Sequence, residues 1–104
     1  MDIDHQMEHL TLEHIATACE GTYVGDESLK QCVITGAVID SRQVEKDFLF
    51  IPIRGERVDG HDFIPDVFAK GALAVLSERE LENPAGPYIK VDSSTEAMKK
   101  LAAD

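Results

Sequence analysis

A run of six apolar residues near the middle of the chain constrains the fold most. Phe48–Ile53 is the longest apolar run in the sequence, and charged residues flank it on both sides. A strand exposed on one face alternates apolar and polar side chains, whereas a continuous run indicates a strand buried on both faces. Strands of that kind belong to parallel sheets covered by helices. We therefore expect an α/β fold, with Pro52 placing the end of this strand at an edge or a bulge.

Turn and capping residues divide the rest of the chain into short elements. Three helices are predicted: one between the N-cap candidate Thr11 and a stop at Gly21, one over Asp62–Lys70, and one over Thr95–Ala103. Further strands are predicted over Thr22–Val24, Val33–Ile39, Leu73–Leu76 and Tyr88–Val91. From Phe48 onward the order is strand, helix, strand, strand, helix, which implies a βαβ crossover. The prediction is a small mixed, partly parallel sheet with about three helices.

Composition limits the classes of function that such a chain can have. The 104 residues, 43% hydrophobic and 29% charged, correspond to one small globular domain, expected over residues 10–104 behind a flexible acidic leader at residues 1–9. The formal net charge of −10 disfavours nucleic acid and anionic membrane surfaces as partners. The N-terminus has no apolar segment of the secretory type, so a cytoplasmic location is expected.

Two patterns that could bind nucleotide or metal lack the residues that this chemistry requires. Gly55 and Gly60 have the glycine spacing of an ATP-binding phosphate loop, but His61 and Asp62 stand where lysine and serine or threonine are needed. His5 and His9 have helical spacing for two ligands, without a third ligand nearby. We therefore predict no catalytic residue, metal site or cofactor in this chain.

A short polar segment follows the predicted strand that ends at Ile39. Ser41 offers a hydroxyl and Arg42 a guanidinium, which together suit a phosphate or the edge of a nucleobase. The same residues could instead form an ordinary Asx or Ser turn with a surface arginine. Four basic residues fall between positions 42 and 57, so an anion is expected there if the chain binds one, although a solvated charged surface would have the same composition.

Several spaced segments together resemble a known family. They are Asp40–Arg42, Asp47–Pro52, Gly55–Ile64, Gly71–Ala72 and Ala74–Leu76. In this order they resemble the N-terminal domain of Mur ligases, the ATP-dependent amide ligases of peptidoglycan precursor synthesis. The opening Leu10–Ala16 is more similar to the MurF type than to the MurE type. One departure is Glu45–Asp47, which replaces the usual Pro-Gly-Asp turn; because Lys46 resists a positive φ, another turn geometry is expected.

The resemblance implies a role in substrate binding. A MurF-type ligase adds D-alanyl-D-alanine to UDP-N-acetylmuramoyl-tripeptide, and its N-terminal domain holds the UDP end. The UDP contacts carried over by position are Ile39, Ser41, Glu56, Arg57 and Val58, and the charge of Arg42 adds a sixth candidate. ATP and Mg²⁺ then belong to the parent enzyme, whose central and C-terminal domains lie outside these residues. The chain alone is expected to be inactive.

Two alternatives stay open from the sequence. The Asp-Ser-Arg and Asp-Gly segments are shared with MurE-type ligases, and a stand-alone binding or interaction module could reuse the same fold. If UDP binds, Ser41 and the segment Glu56–Val58 should line one rim. The reason is that the strands ending at Ile39 and Ile53 are expected to be neighbours, so that their following loops leave the same region of the sheet.

Overall fold

The computed structural model describes residues 10–53, 60–82 and 84–103, which form one sheet with helices on both faces. The elements are α1 (Leu12–Ala18), β1 (Thr22–Val24), β2 (Gly36–Val38), β3 (Phe48–Phe50), α2 (Ile64–Ala69), β4 (Ala74–Ser77), β5 (Tyr88–Lys90) and α3 (Ser94–Ala103). Short 3₁₀ turns cover Glu27–Leu29, Ser41–Gln43 and Gly60–Phe63. The acidic leader predicted at residues 1–9 lies outside the described residues.

The five strands are arranged in the order β1-β5-β4-β3-β2. Strand β1 is antiparallel to β5, whereas β5, β4, β3 and β2 are parallel to one another. The mixed, partly parallel sheet expected from the sequence is therefore confirmed, and the described residues contain three α-helices. The neighbouring pair β2 and β3 is also as expected, so the chain leaves both strands at the same edge of the sheet.

Strand β3, which lies between β4 and β2, explains why the sequence contains a long apolar run. Leu49 and Ile51 pack on the face covered by α1 and α3, while Phe50 packs on the opposite face against α2. All three side chains are almost completely buried. The hydrogen-bonded strand itself ends at Phe50, two residues before Pro52, whose missing N–H therefore interrupts no ladder bond.

Strand β2 is shorter than the predicted Val33–Ile39. Residues 32–34 run antiparallel to residues 10–12 instead, with an isolated bridge between Thr11 and Val33. The Ile34 N–H donates to the Leu10 carbonyl at 3.0 Å, and the Leu12 N–H donates to the Cys32 carbonyl at 3.1 Å. One β-branched segment thus pairs first with the start of the chain and then with β3, which sequence periodicity alone does not reveal.

Helix α1 begins as predicted and ends differently. The Thr11 hydroxyl accepts the N–H of His14 at 3.0 Å, which confirms the N-cap. The residue with positive φ after the helix is Glu20, at 56°, and not Gly21. The Gly21 N–H donates to the Ala16 carbonyl and closes a Schellman motif at the end of the helix. Glu20 is the left-handed residue of this motif, and Gly21 is the residue that follows it. A Cβ at Gly21 would lie 2.6 Å from Ile89 Cγ2, so close packing requires the glycine.

The unusual turn before β3 places its left-handed residue at Asp47. Asp47 has φ 64°, whereas Lys46 avoids that region as expected. Aspartate tolerates positive φ better than lysine. The Asp47 N–H donates to the carbonyl of Gly71, at 2.9 Å, so the turn is held by the glycine that ends α2.

Candidate functional site

The candidate site lies at the carboxyl edge of the parallel strands, beyond β2 and β3. The Ile51 N–H donates to the Val38 carbonyl at 2.9 Å, so the two strands remain paired where they end. Ile39 follows directly and is 54% exposed, which makes it the most exposed large apolar side chain in the described part of the chain. Ser41 then begins the 3₁₀ turn Ser41–Gln43.

Asp40 organises this turn. Its Oδ1 accepts the backbone N–H of Arg42 at 2.9 Å, which caps the turn. The guanidinium of Arg42 also donates two hydrogen bonds to the same carboxylate, from Nε to Oδ1 at 3.1 Å and from Nη2 to Oδ2 at 2.9 Å. These bonds, the side-chain ones foremost, lower the pKa of Asp40 below the usual aspartate value. Asp40 therefore neutralises part of the positive charge that the sequence assigns to Arg42.

Lys70 joins the site although the sequence did not single it out. Its Nζ donates to the carbonyl of Ser41 at 2.8 Å. Lys70 is the C-cap of α2, 29 positions from Ser41, so only the packing of α2 on the sheet brings the two together. A lysine at the end of a helix is too common to be a signal. The charges of Asp40, Arg42 and Lys70 together give this part of the sheet edge a net charge of +1.

The structure brings together the residues of the first predicted segment and leaves the second undescribed. Ile39, Ser41 and Arg42 lie within four consecutive residues beyond β2. Glu56, Arg57 and Val58 lie outside the described residues. They belong to positions 54–59, between Ile53, which follows β3, and Gly60, where the turn into α2 begins.

A second group of polar contacts occupies the same edge beyond β4. His61 Nε2 accepts the backbone N–H of Glu78 at 2.8 Å, and Glu78 Oε2 accepts the N–H of Ser94 at 2.8 Å. His61 is 3% exposed, so the imidazole is part of the interior. These bonds connect the turn before α2, the end of β4 and the start of α3.

Two cavities of about 420 Å³ each open among the described residues. One lies between the end of α1 and the start of α3, and Cys19 and Lys100 are among the residues that line it. The other is lined by Phe68 of α2, by His61 and by residues after β4. Neither is lined by Ile39, Ser41 or Arg42.

Metal clusters and membrane-spanning helices are both absent over residues 10–53, 60–82 and 84–103. No group of three or more histidine, cysteine, aspartate or glutamate side chains there is arranged to hold a metal ion. None of the helices in those ranges has the length and apolar character that crossing a bilayer needs.

The fold and the rim define an α/β domain that presents polar groups beyond parallel strands. The family model described as "Mur ligase family, catalytic domain" matches residues 33–104. The chain belongs to the Mur ligase family, as the resemblance in the sequence indicated. This family acts in peptidoglycan synthesis.

Individual relatives are ligases of two kinds. The UDP-N-acetylmuramoyl-tripeptide–D-alanyl-D-alanine ligase of Bacillus subtilis is 39% identical over 94 residues, which cover 88% of this chain and 20% of the relative. The UDP-N-acetylmuramoyl-L-alanyl-D-glutamate–2,6-diaminopimelate ligase of Bacteroides thetaiotaomicron is 46% identical over 71 residues, which cover 66% of this chain and 15% of the relative. A crystal structure of MurF from Acinetobacter baumannii superposes with a TM-score of 0.80 at 26% identity, over 92% of this chain and 21% of that one.

The match covers only part of each relative. The chain spans about a fifth of the length of the Bacillus subtilis ligase and of the Acinetobacter baumannii structure. The family assignment therefore concerns these residues, and the activity of a whole ligase is a separate question.

Proposed function

We propose that this chain holds the UDP end of UDP-N-acetylmuramoyl-tripeptide for an ATP-dependent ligase that adds D-alanyl-D-alanine. The observation that carries the proposal is the parallel pairing of β2 with β3. Because of this pairing, the Asp40–Arg42 turn and the segment after Ile53 leave one edge of the sheet, where open α/β sheets bind their ligands.

Each candidate residue has a role that follows from its chemistry. The Ser41 hydroxyl donates a hydrogen bond to a diphosphate oxygen, and Arg42 and Lys70 supply positive charge beside it. Ile39 offers an exposed apolar surface for the nucleoside. We expect Glu56–Val58 to pair with the uracil edge through backbone groups, and repulsion between like charges should keep the Glu56 side chain away from the diphosphate.

The remaining chemistry is assigned to the rest of such a ligase. ATP and Mg²⁺ serve to activate the tripeptide carboxylate, and the central and C-terminal domains would supply the residues for that step. The family model is described as catalytic. In this chain, however, His61 and Asp62 follow the glycine pair Gly55 and Gly60 where an ATP-binding loop needs lysine and a hydroxyl.

A MurE-type ligase is the second candidate, and the comparisons favour the two candidates on different grounds. The diaminopimelate ligase match has the higher identity, 46%, but covers 66% of the chain. The D-alanyl-D-alanine ligase match covers 88% at 39% identity, and a diaminopimelate ligase of Bacteroides fragilis covers 89% at 38% identity. Coverage therefore does not separate the two types, and the superposition on MurF at a TM-score of 0.80 supports the MurF type. Assaying a ligase that contains this chain with D-alanyl-D-alanine and with diaminopimelate distinguishes them. A stand-alone module would bind UDP without any such activity.

The proposal is tested by NMR titration of the chain with UDP. We expect amide shifts at residues 39–42 and 54–59. Replacing Ser41 with Ala should weaken binding by about 0.5–1.5 kcal/mol, as for a neutral hydrogen bond. Replacing Arg57 with Ala should weaken it by about 1–3 kcal/mol if the guanidinium meets the diphosphate.

Two controls make the titration specific. Lys99 is an exposed cation on α3, paired at 3.9 Å with Glu96, so its replacement by Ala should leave binding unchanged. ADP should bind more weakly than UDP because adenine cannot reproduce the uracil contacts. Shifts confined to residues 10–20, or equal affinities of the wild type and both rim variants, would show that the rim is not the UDP site.

A further inference from the structure

The connection between β2 and β3 crosses the face of the sheet that α2 covers. Val44, in the middle of this connection, is buried in the apolar layer that contains Phe50 and Val67. Ser41, whose hydroxyl is proposed to meet the diphosphate, lies three residues earlier in the same connection. The position of that hydroxyl therefore depends on how α2 holds the connection.

Two consecutive residues at the end of α2 hold the connection on either side of Val44. The Lys70 Nζ donates to the Ser41 carbonyl at 2.8 Å, and the Gly71 carbonyl accepts the Asp47 N–H at 2.9 Å. The first bond comes from a side chain, whereas the second is made between backbone groups. A substitution at Lys70 therefore removes one anchor of the connection and leaves the other in place.

The backbone of Lys70 is itself fixed, so the side chain reaches Ser41 from an ordered position. Lys70 is the C-cap of α2, and its N–H donates to the carbonyls of Asp66 and Val67, at 3.1 Å each. The ammonium group also lies close to the turn that contains Ser41. The pKa of Asp40 is lowered chiefly by the Arg42 guanidinium, and the charge of Lys70 lowers it further.

Lys70 can act on a bound diphosphate in two ways that predict different results. Its charge would attract the diphosphate independently of the Ser41 hydroxyl. Its hydrogen bond would instead hold the Ser41 peptide group, so that the effect passes through that hydroxyl. The structure favours the second way as the larger contribution, because Nζ already donates to the Ser41 carbonyl and because the adjacent Gly71 holds the other end of the same connection.

We propose that Lys70 is a positioning residue of the UDP site, which holds the Ser41 peptide group so that the Ser41 hydroxyl meets the diphosphate. The role of the hydroxyl rests on the proposed function. The bond that holds Ser41 can be followed without any ligand, through the amide nitrogen of Arg42, which belongs to the same peptide group as the Ser41 carbonyl.

The test is a double-mutant cycle on UDP affinity, measured by NMR titration of the chain at one pH and one ionic strength. Its members are the wild type, Ser41→Ala, Lys70→Met and the double variant. Methionine keeps an unbranched stem and removes the N–H donors. Lys70 is exposed, so the substitution should leave the fold intact.

We expect Lys70→Met to weaken UDP binding about threefold to tenfold when Ser41 is present, and less than about twofold when Ser41 is already Ala. The reason is that without the hydroxyl there is nothing left to position. In the unliganded chain, the Arg42 amide nitrogen should shift in Lys70→Met, because the Ser41 carbonyl loses its donor.

A conservative variant and a matched control complete the experiment. Lys70→Arg should restore most of the affinity and of the Arg42 nitrogen shift, since a guanidinium can donate to the same carbonyl. A role confined to stability would not depend on the Ser41 hydroxyl. Lys99→Met is the control, because Lys99 is an exposed lysine of α3 that lies 3.9 Å from Glu96. It should change neither the UDP affinity nor the Arg42 nitrogen.

The two proposals fail in different ways. If Lys70→Met weakens UDP binding equally with and without the Ser41 hydroxyl, Lys70 acts by its charge alone, and its positioning role is wrong while the proposed function stands. Unchanged affinity in Lys70→Met has the same meaning. If UDP causes no shifts in the wild type, the proposed function is wrong, and the role of Lys70 in UDP binding is refuted with it.

Discussion

Asp40 orders the candidate site at the scale of single residues. One carboxylate caps the turn through the Arg42 N–H and binds the Arg42 guanidinium in a bidentate pair. The pair is exposed, so it adds little to the free energy of unfolding. Its consequence is orientation: the guanidinium stays beside Ser41 at the edge where the diphosphate is proposed to bind.

Replacing Arg42 with Ala should raise the pKa of Asp40 toward the usual aspartate value, because the guanidinium bonds are the largest cause of its depression. A depressed carboxyl pKa contributes stability that is present above the ordinary aspartate pKa and lost as the pH falls through the lowered value. Carboxyl NMR titration of both proteins measures the shift.

Asp26 provides the internal reference for that titration. Its pKa is also lowered, but by the backbone and hydroxyl of Ser28, so the Arg42 substitution should not move it. An Asp40 pKa that stays unchanged in the variant would mean that the bidentate pair does not form in solution.

Strand β3 determines the packing at the scale of elements. Its side chains alternate between two apolar layers, with Leu49 facing α1 and α3, and Phe50 facing α2. Both layers depend on a strand of three ladder residues. The layer around α2 also sets the position of Lys70, and through it the contact with Ser41.

Replacing Phe50 with Ala should lower the free energy of unfolding by about 3–5 kcal/mol, because the 1% exposed ring would leave a cavity between β3 and α2. Phe63 is half-buried at the rim of the same layer, and its replacement by Ala should have a smaller effect. Denaturant unfolding measures both. A loss below about 1 kcal/mol for Phe50 would contradict its place in the core.

The molecule as a whole is acidic, and its basic groups at the rim are therefore local. The net charge is −10, whereas Asp40, Arg42 and Lys70 sum to +1. A diphosphate approaching this protein is repelled by most of the surface, so short-range contacts must supply the affinity. Binding by this chain alone is accordingly expected to be weak.

The purified chain of 104 residues should hydrolyse no ATP in the presence of Mg²⁺, because its glycine pair lacks the lysine that contacts the phosphates. Phosphate release is measured against a sample with Gly60 replaced by Ala, in which any residual rate identifies a contaminant. Turnover that depends on this chain would show that it has a phosphate site of another kind.

Much of the fold could be predicted because it depends on local chemistry. The apolar run 48–53, the cap at Thr11 and the proline in the first turn of α2 each act within a few residues. The cap and the proline are found where expected, and the strand begins at Phe48 as expected but ends at Phe50 instead of Ile53. The site was predictable only in its first half. Ile39, Ser41 and Arg42 follow a strand directly, whereas Lys70 enters through a contact across 29 positions.

Local patterns were enough to predict the family, the mixed sheet and the order of its elements, because periodicity, capping and spaced motifs are properties of neighbouring residues. Which distant groups meet depended on the packing of the elements. The tertiary structure placed Glu20 and not Gly21 at positive φ, and it packed β5 so closely against Gly21 that a Cβ there would have no space. It likewise gave His61 an acceptor role by burying its ring against the backbone of Glu78. These contacts depend on how strands and helices pack, and no local pattern encodes them.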